Sequence, residues 1–410
     1  MRKLSPHKSR FPSHDSRFKV KGFLFSAISA GIKKEPKKDL ALIYSEVPAQ
    51  VAGLFTTNRV KAAPVLIDQK RIRQGLCQAV LINSGNANAC TGPQGLEDCY
   101  TLSSFLSKEL KIPPKHIFLA STGVIGTPLP IEKIIKKIPQ LVKNLSPDGL
   151  GDVVEAMMTT DTCPKMEWAT CKIKGQRVKL CGMIKGAGMI RPNLATMLSF
   201  LVTDGNIEAT LLQKMLKEAS EHSFNRITID GEMSTNDTVL LLANGKAGHP
   251  VLDHRDRDVE RFNSMLMDVC QRLAQSLVRD GEGATKLIEV VVRGARTQEE
   301  GKKAAYAIAH SPLVKTAFFG EDANWGRILC ALGHSGVSIN PDRVDIFFDK
   351  APIVRNGMGV GPPLEKKAKK VIQRDSFKVI VDLHQGKGEF SILTTDLSID
   401  YVKINASYRS

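Results

Sequence analysis

Aromatic residues are scarce in this 410-residue chain, at 6% of the total with two Trp. No basic stretch interleaves them, so the stacking platform of a single-strand nucleic-acid binder is missing. No apolar run approaches the ~20 residues that a membrane-spanning helix needs. The longest are short pieces such as Val239-Leu-Leu-Leu-Ala243. Eight cysteines (Cys77, Cys90, Cys99, Cys163, Cys171, Cys181, Cys270 and Cys330) form no CxxC, and nine histidines form no HxH or HExxH. No metal site is therefore expected. Dispersed thiols in a chain of this length read as buried groups of a reducing compartment, so a cytoplasmic location is expected. There is no GxxxxGK(S/T) phosphate loop. Gly357-Met-Gly-Val-Gly361 runs into Pro362-Pro363 rather than a helix and reads as a turn, and Gly333-His-Ser-Gly336 lacks the last glycine of a nucleophile elbow.

What is present fits a packed chain. The length allows two or three core-forming units, and 42% hydrophobic with 24% charged residues is ordinary for globular proteins. The net charge is +16, from 58 Lys+Arg against 42 Asp+Glu. Residues 1–40 hold eleven basic and three acidic side chains, so half of the excess lies in one terminal tenth. That weakens a nucleic-acid reading of the body. Residues 1–20 read as a basic, disordered tail. The charged region is too long for a signal peptide, and Pro6 and Pro12 would break the helix of a transit segment.

Strand-like and helix-like segments alternate, which predicts a mixed α/β architecture with no internal repeat. Asp39–Ser45, Ala79–Asn83 and His116–Ala120 are short apolar runs closed by turn residues, as buried strands are. Helical spacing marks Pro130–Leu145 and, most clearly, Asp258–Val278. Thr297-Gln-Glu-Glu300 predicts a capping box. Lys378–Leu383 and Glu389–Leu393 are expected to pair with each other around the turn Gln385-Gly-Lys-Gly388.

Six polar stretches rich in Gly, Asn and Thr close apolar segments: Asn83–Gly92, Ser121–Gly126, Thr159–Thr162, Lys185–Met197, Asp230–Asp237 and Gly281–Lys286. One such loop is a turn; six suggest loops gathered at a site. Their chemistry would be hydroxyls, amides and a few charges. A Thr nucleophile fits this inventory best, because a Thr without a His needs another base, and its own free α-amine can serve. Thr196 is internal, so that solution requires a cut before it.

The run Lys185-Gly-Ala-Gly-Met-Ile-Arg-Pro-Asn-Leu-Ala-Thr-Met-Leu198 resembles the KGxGMIxPNxATML pattern of the bifunctional ornithine acetyltransferase family (ArgJ, glutamate N-acetyltransferase), whose members cleave themselves at its Ala-Thr bond. Gly31-Ile-Lys33, Phe55-Thr-Thr-Asn58, Asn324-Trp-Gly-Arg327 and Asp400–Arg409 extend the likeness over nearly the whole chain after residue 20.

The resemblance implies a mixed-sheet, N-terminal-nucleophile-like α/β fold of the ornithine acetyltransferase/aminopeptidase superfamily, with a smaller C-terminal α/β part. It implies cleavage between Ala195 and Thr196 into an alpha chain, 21–195, and a beta chain, 196–410, a chain boundary and not a domain boundary. Two of each would form a heterotetramer. Thr196 becomes the acetyl-accepting nucleophile; Thr122 and Gly123 match the oxyanion hole. Thr159, Lys185, Thr196, Glu282, Asn405 and Ser410 match substrate-binding positions, with Thr160 and Thr162 left open beside Thr159. The implied reaction moves acetyl from N2-acetyl-L-ornithine to L-glutamate in arginine biosynthesis, without metal or prosthetic group. Acetyl-CoA is a candidate second donor. Arg191, Met233, Ala323 and Ser410 depart from the usual pattern. Taken singly, Lys185 is equally a solvated turn lysine, Glu282 a carboxylate near a helix end and Asn405 a strand-end amide. A related N-terminal-nucleophile aminopeptidase is the alternative enzyme.

Overall fold

The computed structural model describes residues 18–191 and 197–406. Ala195, Thr196, Ser410 and the tail up to residue 17 lie outside the described residues. Packed chain begins within the stretch read as a tail, since Phe18 stacks on Trp168 with ring centroids 5.3 Å apart and Val20 is buried. The chain divides into two compact units. The larger holds the residues up to Asn225 together with Glu232–Leu277; the smaller holds Arg226–Gly231 and the chain from Val278 onward.

The larger unit contains, in order, β1 (Phe23–Ile28), β2 (Leu40–Phe55), α1 (Ala63–Arg71), β3 (Leu76–Asn86), α2 (Gly92–Leu110), β4 (Ile117–Val124), α3 (Ile131–Lys143), α4 (Leu150–Met157), β5 (Lys165–Ile173), β6 (Gln176–Lys185), β7 (Leu198–Thr203), α5 (Ala209–Glu221), β8 (Thr238–Ala243) and α6 (Val259–Arg279). Its sheet runs β4-β3-β2-β8-β7-β6-β5, with β1 paired to β2. Only β3/β4 and β7/β8 are parallel among these pairs. The expected strands lie in β2, β3 and β4, and the two expected helices are α3 and α6.

Those strands read as continuous apolar runs because the sheet is covered on both faces. Leu40, Leu42, Ala79, Leu81, Ile117 and Leu119 pack with Ile67, Leu102, Ile134 and Ile138 of α1–α3. Their alternates Ala41, Ile43, Val80, Ile82, Phe118 and Ala120 pack with Val153, Val154 and Met157 of α4. Helix α6 comes so close to β6 that a Cβ on Gly182 would stand 2.7 Å from Leu273.

The smaller unit contains β9 (Leu287–Ala295), α7 (Gln298–His310), α8 (Pro312–Phe319), α9 (Trp325–Gly333), β10 (Asp345–Phe348), β11 (Ala351–Arg355), β12 (Met358–Gly359), α10 (Pro362–Ile372), β13 (Ser376–Asp382), β14 (Gly388–Thr395) and α11 (Ile399–Ala406). Its sheet order is β12-β11-β10-β13-β9-β14. One face is apolar: Ile288, Val290, Val292, Val379, Val381 and Ile392 pack on Ala305, Ile308, Phe318 and Leu332. The other face carries Lys378 opposite Glu289 and Asp382 opposite Arg293, both ion-paired at 2.8 Å. The mixed α/β architecture with a smaller C-terminal α/β part is therefore observed.

Two expectations fail. Strands β13 and β14 do not pair with each other; β9 lies between them, parallel to β13 and antiparallel to β14. The Gly-containing turn had suggested a hairpin, but a central strand supplied from residues 287–295 takes both ladders. Gly361 is also followed by a helix after all, because Pro362 and Pro363 occupy the first turn of α10, where a missing N–H costs nothing. This gives no dinucleotide site: the preceding β12 is a two-residue antiparallel edge.

The capping box is half made. Thr297 accepts from the Glu300 N–H at 3.2 Å, while the Glu300 carboxylate holds the Arg296 guanidinium at 2.8 and 3.1 Å. Thr297→Ala should therefore lower stability by about 1 kcal/mol. Glu300→Ala should move the thermal unfolding midpoint less, since it breaks only an exposed pair.

Candidate active site

In the larger unit, the parallel pair β3/β4 brings Ser84 beside Thr122 and Gly85 beside Gly123. Gly123 has φ +134°, and a Cβ there would lie 2.3 Å from the Gly85 carbonyl carbon and 2.5 Å from the Asn86 nitrogen. No side chain fits this backbone approach. Thr122 is buried. The loops around the pair are tied together by amides. Ser121 Oγ donates to Asn83 Oδ1 at 2.6 Å, Asn83 Nδ2 to Asn86 O at 2.8 Å, and Asn236 Nδ2 to both Ala87 O (2.7 Å) and Ser121 O (2.8 Å).

A charged cluster lies at the end of β6. Lys185 is 4% exposed and donates from Nζ to Thr159 Oγ1 at 3.3 Å. Asp161 accepts from Lys165 Nζ at 2.6 Å, from the Gly186 N–H at 2.7 Å and from the Thr159 N–H at 3.0 Å. Burial alone would raise the Asp161 carboxyl, but Lys165, Lys185 and these hydrogen bonds hold it well below the usual carboxylate range. Lys33 donates to the Lys38 and Ala156 carbonyls at 3.1 and 3.4 Å. Burial lowers its ammonium pKa, with repulsion from Lys37 and Lys185 adding to that and Asp39 and Asp161 opposing it. Asp237 takes the opposite course to Asp161. Burial pushes its carboxyl well above the normal value, although the Met197 N–H, Lys185 and the Thr56 and Ser234 hydroxyls favour the charged form. Two carboxyls whose pKa values are shifted in opposite directions thus interact with Lys185.

In the smaller unit, Asn405 on α11 donates to Glu282 Oε2 at 2.8 Å. Glu282 sits in the turn after α6 and is 9% exposed. The turn is locked against α11: Ser398 Oγ donates to Gly283 O at 2.6 Å, and a Cβ on Gly283 would stand 2.5 Å from the Tyr401 nitrogen. Tyr401 OH donates to Asp230 Oδ2 at 3.2 Å. Beneath, the fully buried Lys315 donates to the Thr394 and Thr395 hydroxyls at 3.1 and 3.2 Å. Burial lowers its pKa to about 8, against the pull of Asp396 and Asp230.

Chemically, the first unit offers a cation with a hydroxyl, suited to a carboxylate, and a glycine amide beside a buried hydroxyl, suited to an oxyanion. The second offers a carboxylate oriented by an amide, suited to an ammonium group. Among the described residues no group of His, Cys, Asp and Glu side chains could hold a metal ion. No helix of the described residues is long and apolar enough to cross a membrane.

A family model described as the ArgJ family matches residues 24–410. The chain belongs to the ArgJ family. It is 50% identical over 391 residues to the arginine biosynthesis bifunctional protein ArgJ of Geobacter sulfurreducens, covering 95% of this chain and 100% of that protein. Among solved structures, a bifunctional ArgJ from Bacillus halodurans is 42% identical, with 50% of this chain and 96% of that chain covered and a TM-score of 0.48. An ornithine acetyltransferase from Mycobacterium tuberculosis, solved in complex with ornithine, is 34% identical, covers 42% of this chain and 93% of that chain, and has a TM-score of 0.38. ArgJ membership makes the chain an acyltransferase of arginine biosynthesis.

In this ArgJ chain the residues singled out from sequence fall into two groups. Thr122, Gly123, Thr159 and Lys185 belong to the larger unit, with Thr159 and Lys185 in contact; Glu282 and Asn405 belong to the smaller one and are also in contact. Asn405 is helical rather than at a strand end. Thr196, Ala195 and Ser410 lie outside the described residues. Asp161, Asn236, Asp237 and Lys33 went unassigned in the sequence. Three of them stood inside polar stretches marked there and Lys33 inside Gly31-Ile-Lys33, but the burial of those three and the charges around Lys33 leave no trace in a single sequence.

Proposed function

We propose that the chain is a self-cleaving glutamate N-acetyltransferase of the N-terminal-nucleophile type, cut between Ala195 and Thr196, with Thr196 carrying the acetyl group between N2-acetyl-L-ornithine and L-glutamate. The Thr196 hydroxyl attacks the acetyl carbonyl while its α-amine takes the proton, an amine whose ordinary pKa of about 8 suits general-base work at neutral pH. The Gly123 N–H and Thr122 hydroxyl hold the oxyanion. The tetrahedral intermediate collapses as ornithine nitrogen leaves with the proton. Glutamate's free amine then attacks the acetyl ester, and the Thr196 oxygen departs and regains its proton. Lys185 with Thr159 would take a substrate carboxylate; Glu282, oriented by Asn405, would take an ammonium group, and Ser410 would be a further substrate-binding residue. Both donors, N-acetylornithine and acetyl-CoA, would present the same acetyl to the same nucleophile.

The observation that carries this reading is the burial of Lys185, the first residue of the Ala195-Thr196 motif, against the Thr159 hydroxyl. A cation held out of water beside a hydroxyl is suited to pairing with a substrate carboxylate, which gains most from a charge-assisted hydrogen bond where it is desolvated. Purified protein given N-acetylornithine and glutamate should form N-acetylglutamate and ornithine in equal amounts. Ornithine and acetate without N-acetylglutamate would instead mark a hydrolase of the aminopeptidase kind. Lys185→Met should raise KM for both amino-acid substrates about tenfold or more, the worth of one charge-assisted contact. The proposed working form pairs two alpha and two beta chains in the cytoplasm; all eight cysteines are free thiols, as a reducing compartment would keep them.

A further inference from the structure

Adjacent residues of one short segment grip both halves of the acyl-transfer machinery. Met197, the residue after Thr196, is held by both of its backbone groups: its N–H donates to Asp237 Oδ1 at 3.1 Å and its carbonyl accepts from the Thr238 N–H at 3.1 Å. One position earlier, Asn236 points its amide the other way and donates to Ser121 O, immediately before the oxyanion pair Thr122-Gly123, and to Ala87 O. The Asn236 Oδ1 is itself fixed by the Thr235 hydroxyl at 2.6 Å.

The segment is anchored from behind. Thr56 N–H donates to Asp237 O at 2.9 Å and Thr56 Oγ1 to Ser234 O at 2.8 Å; Asn58 Nδ2 donates to Met233 O at 3.0 Å and Ala62 N–H to Thr235 O at 2.9 Å. All three side chains of the segment Thr235-Asn236-Asp237 are buried. Asp237 Oδ2 has no hydrogen-bond partner among the described residues. Burial pushes the pKa of this carboxyl upward.

We propose that Asn236 and Asp237 are positioning residues that set the oxyanion strand and the nucleophile segment at a fixed separation, Asn236 through Ser121 and Asp237 through Met197. The proposal rests on the reading of Thr196 as the nucleophile. An error of an ångström between attacking atom and oxyanion donors is enough to slow acyl transfer by about 10²-fold. The substrate carboxylate would meet the Lys185 ammonium and the Thr159 hydroxyl rather than the Asn236 amide or the Asp237 oxygen that accepts from Met197, so loss of the clamp should fall mainly on kcat.

The test uses the purified full-length chain and four variants. Asp237→Asn keeps the oxygen that accepts from Met197 and should hold kcat within about threefold of wild type; Asp237→Ala loses it and should lower kcat at least tenfold, both with KM within about threefold. Asn236→Ala frees Ser121 and should lower kcat by about tenfold or more, again without raising KM. Both alanine variants should also slow the appearance of two bands on a denaturing gel. Wild-type kcat in Asn236→Ala overturns the proposal, and this reading remains available if Asp237→Ala fails to fold. Equal loss in Asp237→Asn and Asp237→Ala overturns the positioning role of Asp237, since the proton and not the acceptor oxygen would then matter. Thr196→Ala is the control: full transferase activity there removes the nucleophile reading itself, whereas an inactive Thr196→Ala beside fully active clamp variants overturns the clamp alone.

Discussion

Replacing Thr196 by alanine is expected to leave one polypeptide on a denaturing gel and to lower acetyl transfer by at least ~10³-fold, the scale set by removing a covalent nucleophile. Wild-type protein should give two bands, of 195 residues and 410 − 195 = 215 residues. Both effects follow from one hydroxyl. In the proposed cut it would attack the Ala195 carbonyl, and in the proposed transfer the acetyl carbonyl. Thr196→Ser keeps the oxygen and should retain both activities at reduced rate. A fully active wild-type preparation that runs as a single full-length band would falsify the mechanism, because the α-amine needed as base would not exist.

The second large effect is on stability. Asp161 and Lys165 are 0% and 1% exposed and lie 2.6 Å apart. Asp161→Asn keeps the shape but leaves the Lys165 ammonium without its counter-charge, at a cost of about 3–5 kcal/mol. Urea unfolding at neutral pH should show it as a lower midpoint with unchanged slope. The pH dependence has a definite sign. The Asp161 carboxyl is held below its unfolded value by Lys165 and Lys185 against the opposing effect of burial. Its contribution is therefore complete above the unfolded value of about 3.9 and is lost as pH falls from there through the depressed folded value. The stability difference between wild type and Asp161→Asn should stay level from pH 8 to about pH 5 and shrink only in stronger acid. A difference that fades between pH 7 and 5 would show that another group is responsible. Because Asp161 also fixes the Thr159 and Gly186 N–H groups, KM should rise in the same variant.

Much of the frame was legible in the residues. Runs such as Ala79–Asn83 announced strands because a sheet covered on both faces leaves no polar alternates, and the three- and four-residue spacing over Asp258–Val278 marked the helix observed at Val259–Arg279. The polar stretches that close the apolar runs were also legible, since Gly, Asn and Thr favour the places where a strand or helix gives way to a turn. What stayed hidden depends on partners far away in sequence. That β9 separates β13 from β14 is a matter of which ladder wins, and the local turn at 385–388 favours the wrong answer. Asp161 and Asp237 are both single aspartates in polar loops; two lysines pull the pKa of one down and burial pushes that of the other up, and only the fold distinguishes them.

The strand order of the large sheet bears on what a cut at residue 195 can do. Strands β7 and β8 come after it in the chain, yet they lie in the middle of the sheet, zipped to β2 on one side and to β6 on the other. Severing the backbone removes none of the hydrogen bonds in those two ladders. Each fragment is instead the missing centre or the missing flanks of the other, so their separation has the barrier of unfolding rather than of subunit dissociation. Neither fragment alone completes the large sheet: the first would expose two long raw edges, and the second would keep only a two-strand ribbon of it with apolar faces. A nick there would therefore have to follow folding, and the two pieces would age, denature and turn over as a single molecule.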